Sequence, residues 1–147
     1  MVGFDTETRP TFKVGEWYPP CLAQFATASA VYLLRMPGME TPVSEILAAE
    51  TTKAGVSVSD DLKALKKVFA FEEKNVVDVG TAAKRAGLQQ SGVRNLAAML
   101  LGFRVPKGAK TTNWAAPRLT PQQITYAATD AWACRELYLK FREMGFL

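Results

Sequence analysis

Apolar positions along this chain follow two rhythms, an alternation early on and a helical period later. Residues 2–8, VGFDTET, set Val2 and Phe4 on one side of an extended segment and Asp5 and Glu7 on the other, so the spacing predicts a strand. Two more apolar runs, 21–28 and 30–36, predict strands separated by a turn near Ser29. MPGMETP (36–42) reads as a turn and 43–50 as a short helix. A fourth short strand is expected over 53–59, KAGVSVS. DDLKALKKVFAF then places Leu62, Leu65 and Phe69 at helical spacing, with Val68 beside them. NVVDVGT (75–81) reads as a fifth strand, followed by short helices over 81–86 and 92–101. The stretch 103–119 is irregular, with two prolines and a glycine. The clearest helix starts at Thr120, a good N-cap, with Pro121 suited to the first helical position and Gln123 completing a capping box. Three strands able to form a meander, then strands alternating with helices, predict an α/β layered domain with a mixed sheet.

The chain has 147 residues and no repeat, low-complexity tract or linker that would split it, so one domain over 1–147 is expected. Its 48% hydrophobic and 22% charged residues suit a globular protein. No apolar run is long enough to cross a bilayer and no secretory leader is visible, so the expected setting is intracellular, cytoplasmic for a bacterial protein, with no membrane partner. Cys21 and Cys134 sit among apolar neighbours and are expected to be buried free thiols. The chain contains no histidine, which removes serine–histidine and cysteine–histidine nucleophilic schemes and histidine metal ligands together.

Charge is unevenly spread. Between Val79 and Thr129 there is no acid, while Lys84, Arg85, Arg94, Arg104, Lys107, Lys110 and Arg118 give that stretch +7, against a net charge of +4 for the whole chain. Such a segment fits either a polyanionic partner, nucleic acid being the common one, or a solvated basic surface.

Asp5 and Glu7 share one face of the first strand, and two ionised carboxylates so close repel unless a cation lies between them. They are therefore either solvated at an exposed strand end or paired around a metal. Tyr126 and Asp130, four apart, share one face of the last helix, and Asp130 has no cation in sequence reach. A metal ion would satisfy all three acids; otherwise Asp130 is half-exposed on the helix flank. In VSVSDDLKAL, Asp60 is expected to act as a helix cap or dipole partner on the wet side with Lys63 and Lys67. Asp61 flanks the buried stripe and is the better inward candidate. Asp78 is a fourth acidic position, expected rather to cap the helix after it.

GFDTET, AGVSVSDDLKAL and LTPQQITYAATDAWACRELY together resemble, in order and spacing, the three exonuclease motifs of the DEDDy 3′–5′ exonucleases, and the likeness extends to TTNW before the last helix. That family includes ribonuclease D, the proofreading domains of family A DNA polymerases and the Werner-helicase exonuclease domain. The resemblance implies a ribonuclease H-like fold with a mixed five-stranded sheet. It implies that Asp5, Glu7, Asp61 and Asp130 hold two divalent cations, Mg²⁺ or Mn²⁺, and that Tyr126 orients the attacking water. The implied reaction is hydrolysis from a 3′ end that releases nucleoside 5′-monophosphates. A nuclease-like module without activity is the alternative. Thr6, Lys107, Lys110 and Arg118 become candidate nucleic-acid contacts, and Trp114 either stacks a base or sits in the core. Members of that family usually carry a longer lead-in before Asp-x-Glu, so the resemblance implies a single 3′–5′ exonuclease domain over 1–147 that lacks the usual N-terminal segment.

Overall fold

The computed structural model describes residues 1–106 and 108–147. Its strands are β1 (Val2–Thr8), β2 (Pro20–Ala26), β3 (Val31–Arg35), β4 (Lys53–Gly55) and β5 (Val76–Asp78), and they form one sheet in the order β3-β2-β1-β4-β5. β1 pairs antiparallel with β2, and β2 with β3, whereas β4 joins β1 and β5 joins β4 in parallel. The expected mixed five-stranded sheet is thus formed, with the acid-bearing β1 at its centre.

The helices are α1 (Glu40–Ala48), α2 (Val58–Lys66), α3 (Val79–Arg85), α4 (Val93–Leu96) and α5 (Pro121–Glu143), with a π-helical turn over Ala97–Leu101 continuing α4. Alternation along β1 divides the core. Phe4 faces one side, where Phe25, Val43, Leu47, Leu62 and Leu65 pack with it beneath α1 and α2. On the other side, Leu137 and Phe141 of α5 pack on Ala54 and Val79. Each such fully buried side chain contributes about 1.5–3 kcal/mol relative to exposure. Among the described residues, no helix is long and apolar enough to cross a membrane.

Several local expectations need correction. The fourth strand stops at Gly55, because the chain turns at Ser57 (φ 60°) and enters α2 at Val58. Residues of the predicted strand thereby become the first turn of α2. That helix ends at Lys66, short of the predicted stripe, so Val68 is exposed while Phe69 packs on the core margin. Of the two roles expected of Asp60, the structure bears out the dipole partner and not the cap: the cap position is Ser57, without a side-chain bond, and Asp60 lies in the first turn, facing solvent 4.0 Å from Lys63 Nζ. Asp78 does cap α3. Its Oδ1 accepts from Thr81 N at 3.1 Å and also from Ser57 N at 3.2 Å, which ties the start of α2 to the end of β5. Both cysteines are buried and free. The capping box at Thr120 and Gln123 forms as predicted.

One contact sets how closely α5 can lie on β1. A Cβ at Gly3 would sit 2.0 Å from the Ala131 carbonyl oxygen and 2.8 Å from Arg135 N. Only glycine lets the helix backbone rest directly on the strand here. We expect Gly3→Ala to destabilise the protein by about 1–3 kcal/mol, read as a lower urea midpoint with unchanged slope; an unchanged midpoint would show that the seam tolerates separation.

Candidate active site and metal centre

Gly3, Asp5 and Glu7 alternate onto the α5 side of β1, and the close crossing at Gly3 carries Asp130 over the two strand acids. One carboxylate oxygen from each of Asp5, Glu7 and Asp130 lies within 4.8 Å of the others. Glu7 and Asp130 are buried and Asp5 is half-buried, so the open, solvated strand end is not what the fold provides. They line a cleft of about 280 Å³ together with Thr6, Arg94, Lys110, Tyr126 and Cys134.

Burial comes first among the causes that disturb these acids. It holds the Asp5 carboxyl well above the ordinary range, and the charges of Asp61, Asp130 and Glu7 push it further. Glu7 is raised to about 8 by burial and then by Asp130, against the Gln24 amide that pulls it down. Asp130 is raised to about 6 by burial, opposed by the Tyr126 hydroxyl, Arg94 and Lys110. Tyr126 is itself raised by burial and by the same acids. Among the described residues, one oxygen of Asp130, Oδ1, is buried without a hydrogen-bond partner. Converging oxygens, one of them unsatisfied, with raised proton affinity and no nitrogen or sulfur donor in the set fit a hard divalent cation.

Asp61 is not part of this trio. Its Oδ1 accepts a hydrogen bond from the Thr6 hydroxyl, and burial raises it to about 6. Its charge is still felt at Asp5, which places it on the α2 flank of the same centre. Thr6 thus has its hydroxyl directed to Asp61, while its backbone N donates to Asp5 Oδ1 at 2.9 Å. Lys110 stands on the cleft wall. Arg118 is exposed on the loop before α5 and is not among the cleft's lining residues. Lys107 lies outside the described residues. Trp114 is fully buried against Tyr126, ring centroids 6.0 Å apart, so of the two alternatives the core role holds, and the ring supports the tyrosine.

Three contributors escaped the sequence reading of the site. Gln24 on β2 is fully buried, pairs opposite Asp5, and its Nε2 donates to Glu7 Oε1 and to Ala127 O, both at 3.3 Å. It joins β1, β2 and α5 at the site. Its signal was a lone polar residue inside an apolar strand. Gln123 does more than cap: its Nε2 reaches Thr112 Oγ1 at 2.9 Å and Asn113 O at 3.3 Å, fastening the Lys110 loop to the start of α5. Arg94 stood out only as one of seven basic residues, yet it lines the cleft.

The profile of a 3′–5′ exonuclease domain matches residues 1–145. The chain belongs to the 3′–5′ exonuclease family. Its motifs and relatives place it with the DEDDy-type exonuclease domains. It is 31% identical over 127 residues to ribonuclease D of Gluconacetobacter diazotrophicus, covering 83% of this chain and 32% of that enzyme. Over 154 aligned residues it is 29% identical to the bifunctional 3′–5′ exonuclease/ATP-dependent helicase WRN of Mus musculus, covering 99% of this chain and 11% of that protein. The chain therefore spans a third or less of these relatives. The crystal structure of Escherichia coli RNase D superposes with a TM-score of 0.82 at 25% identity, over 99% of this chain and 40% of that one. The Aedes aegypti Nibbler EXO domain gives 0.82 at 22% identity, over 97% and 77%. The fold of this exonuclease domain is accordingly the ribonuclease H-like one that the strand order describes.

A carboxyl that holds its proton more tightly folded than unfolded stabilises the fold below its unfolded pKa, and that contribution disappears as pH rises through the folded value. Asp130, Asp61 and Glu7 are all raised, the last to about 8. We therefore expect the metal-free Tm to fall as pH climbs from about 5 to about 8. Asp5→Asn should lessen that fall and raise the metal-free Tm at the upper end, by about 2–4 °C per kcal/mol of repulsion relieved. A melt series in EDTA checks both; a Tm that rises over this range, or a less stable Asp5→Asn at pH 8, would contradict the electrostatic reading.

Proposed function

We propose that this domain is an active, metal-dependent 3′–5′ exonuclease that removes nucleoside 5′-monophosphates from the 3′ end of a nucleic acid. The observation that carries the reading is the converging trio of half-buried Asp5 and buried Glu7 and Asp130, with an unsatisfied Asp130 oxygen beside Tyr126. Asp5, Glu7 and Asp130 would hold the divalent cations, with Asp61 on the flank; two Mg²⁺ or Mn²⁺ ions are the set that the motifs imply. When bound, such ions supply charge neutralisation at phosphorus and acidify water.

The protein's own groups have separate tasks. Tyr126 has its hydroxyl proton held by burial and by the neighbouring acids, so it acts as a hydrogen-bonding group that orients the attacking water rather than as a base. Gln24 fixes the Glu7 carboxylate through Oε1. Lys110 and Arg94 present positive charge to a phosphodiester that the bare acids would repel. Of the three basic residues expected to guide the strand, Lys107, Lys110 and Arg118, the reading keeps Lys110 on the cleft wall and adds Arg94. Ribonuclease D, DNA polymerase I of Aquifex aeolicus and the WRN protein among the relatives bear names spanning RNA and DNA enzymes, so the reading extends to either polymer.

A 5′-labelled single strand, a duplex with a recessed 3′ end and an RNA strand, each incubated with Mn²⁺ or Mg²⁺, should yield a ladder shortening from the 3′ end on at least one of them. Asp130→Asn should abolish it. Tyr126→Phe should lower kcat on the order of 10²-fold with KM little changed, the cost of losing orientation alone. No ladder on any of the three polymers with either metal would instead support a nuclease-like binding module.

A further inference from the structure

The carboxylate cleft continues beyond its acids. Arg94 forms part of its wall and also part of the wall of a second hollow of about 400 Å³, lined by Arg94, Asn95, Ala98, Arg104, Val105 and Pro106. Pro106 in turn borders a third, apolar hollow of about 270 Å³ that has Tyr126 on its far side. One guanidinium thus joins the reacting end to a basic trough.

The trough's chemistry is uniform. Arg94, Asn95 and Arg104 supply two permanent positive charges and an amide, and all three are exposed. The described ion pairs involve neither arginine. The sequence around them holds no acid from Val79 to Thr129. Arg94 shares the cleft with the acids and draws the Asp130 carboxyl down. Guanidinium forks match phosphate oxygens two at a time, and the Ala98, Val105 and Pro106 wall gives bases a surface without demanding a sequence.

We propose that the Arg94–Arg104 trough holds internucleotide phosphates of the substrate strand behind the terminal bond, so that this domain grips a run of single-stranded backbone and not the last nucleotide alone. This assignment rests on the nuclease reading of the cleft for its direction. Its binding test, however, stands apart from catalysis.

The test uses the full chain carrying Asp5→Asn, so that the strand survives. Affinity for labelled oligothymidylates of two, four and eight nucleotides, and for thymidine 5′-monophosphate, is measured with Mg²⁺ across a salt series. Arg104→Gln should make the log-affinity against log-salt slope for the eight-mer shallower by about 0.7, and the Arg94→Gln/Arg104→Gln pair by about 1.4. Lys84→Gln, which removes the same charge away from the trough, should leave the slope alone, and Arg104→Lys should restore most of it. The Arg104 effect should shrink as the strand shortens and vanish for the mononucleotide. An unchanged eight-mer slope in Arg104→Gln overturns the proposal. So does an equal loss for the mononucleotide, which would make the trough a product phosphate site. So does a slope change in Lys84→Gln equal to that in Arg104→Gln, which would make the effect one of general charge. A protein that cleaves nothing yet shows the length-dependent slope change retains the trough and loses the nuclease assignment only.

Discussion

Everything at this site depends on how near the backbone of α5 comes to β1. The absent side chain of Gly3 leaves room for the Ala131 carbonyl, and one residue earlier on the helix Asp130 is set over Asp5 and Glu7. Leu137 and Phe141 anchor the helix beyond the crossing, and the Gln24 amide bonds the Ala127 carbonyl before it. Apolar packing on both sides thus forces three acids into a space where each makes the others harder to ionise. Against that repulsion stand the Gln24 amide, the Thr6 backbone N–H, the Tyr126 hydroxyl and the peripheral cations Arg94 and Lys110, which leaves the cluster short of positive charge.

That shortfall links the fold to the chemistry. On the proposed reading, a centre built from oxygens alone would take hard divalent ions and, once loaded, would no longer repel a phosphodiester. The basic residues lie in order away from it: Lys110 and Arg94 on the cleft, Arg104 beyond. The loop carrying Lys110 is not left to hang. Gln123 binds it to the first turn of α5, and Arg35 donates to the carbonyls of Ala116 and Pro117 farther along. Trp114, buried under Tyr126, makes the same loop part of the tyrosine's support.

Much of this was legible in the sequence because periodicity is a local property. Alternation in VGFDTET already put Asp5 and Glu7 on one face, and the Thr120 cap with Tyr126 and Asp130 four apart already fixed one helix face. What stayed hidden depends on partners distant in the chain. KAGVSVS reads as a strand by composition, but a backbone reversal at Ser57 and a bond to Asp78, twenty-one residues on, convert its end into helix. Asp61, placed with the metal acids by its motif, also accepts from the Thr6 hydroxyl, a bond between β1 and α2 that no local pattern announces, and its charge reaches Asp5. Arg94 could not be singled out among seven basic residues, since only the folding of α4 against α5 brings it to the cleft.

We infer that the β1–α5 acids form a cation site whose occupants displace protons from carboxyls that burial has made weak acids. Calorimetric titration with Mn²⁺ at pH 7 in two buffers of different ionisation enthalpy measures that displacement directly. With Glu7 raised to about 8 and Asp5 raised well above its ordinary value, binding should be saturable and release on the order of one proton per chain. Asp130→Asn should weaken it. Saturable binding with no proton release, or no binding at millimolar Mn²⁺, would contradict the account.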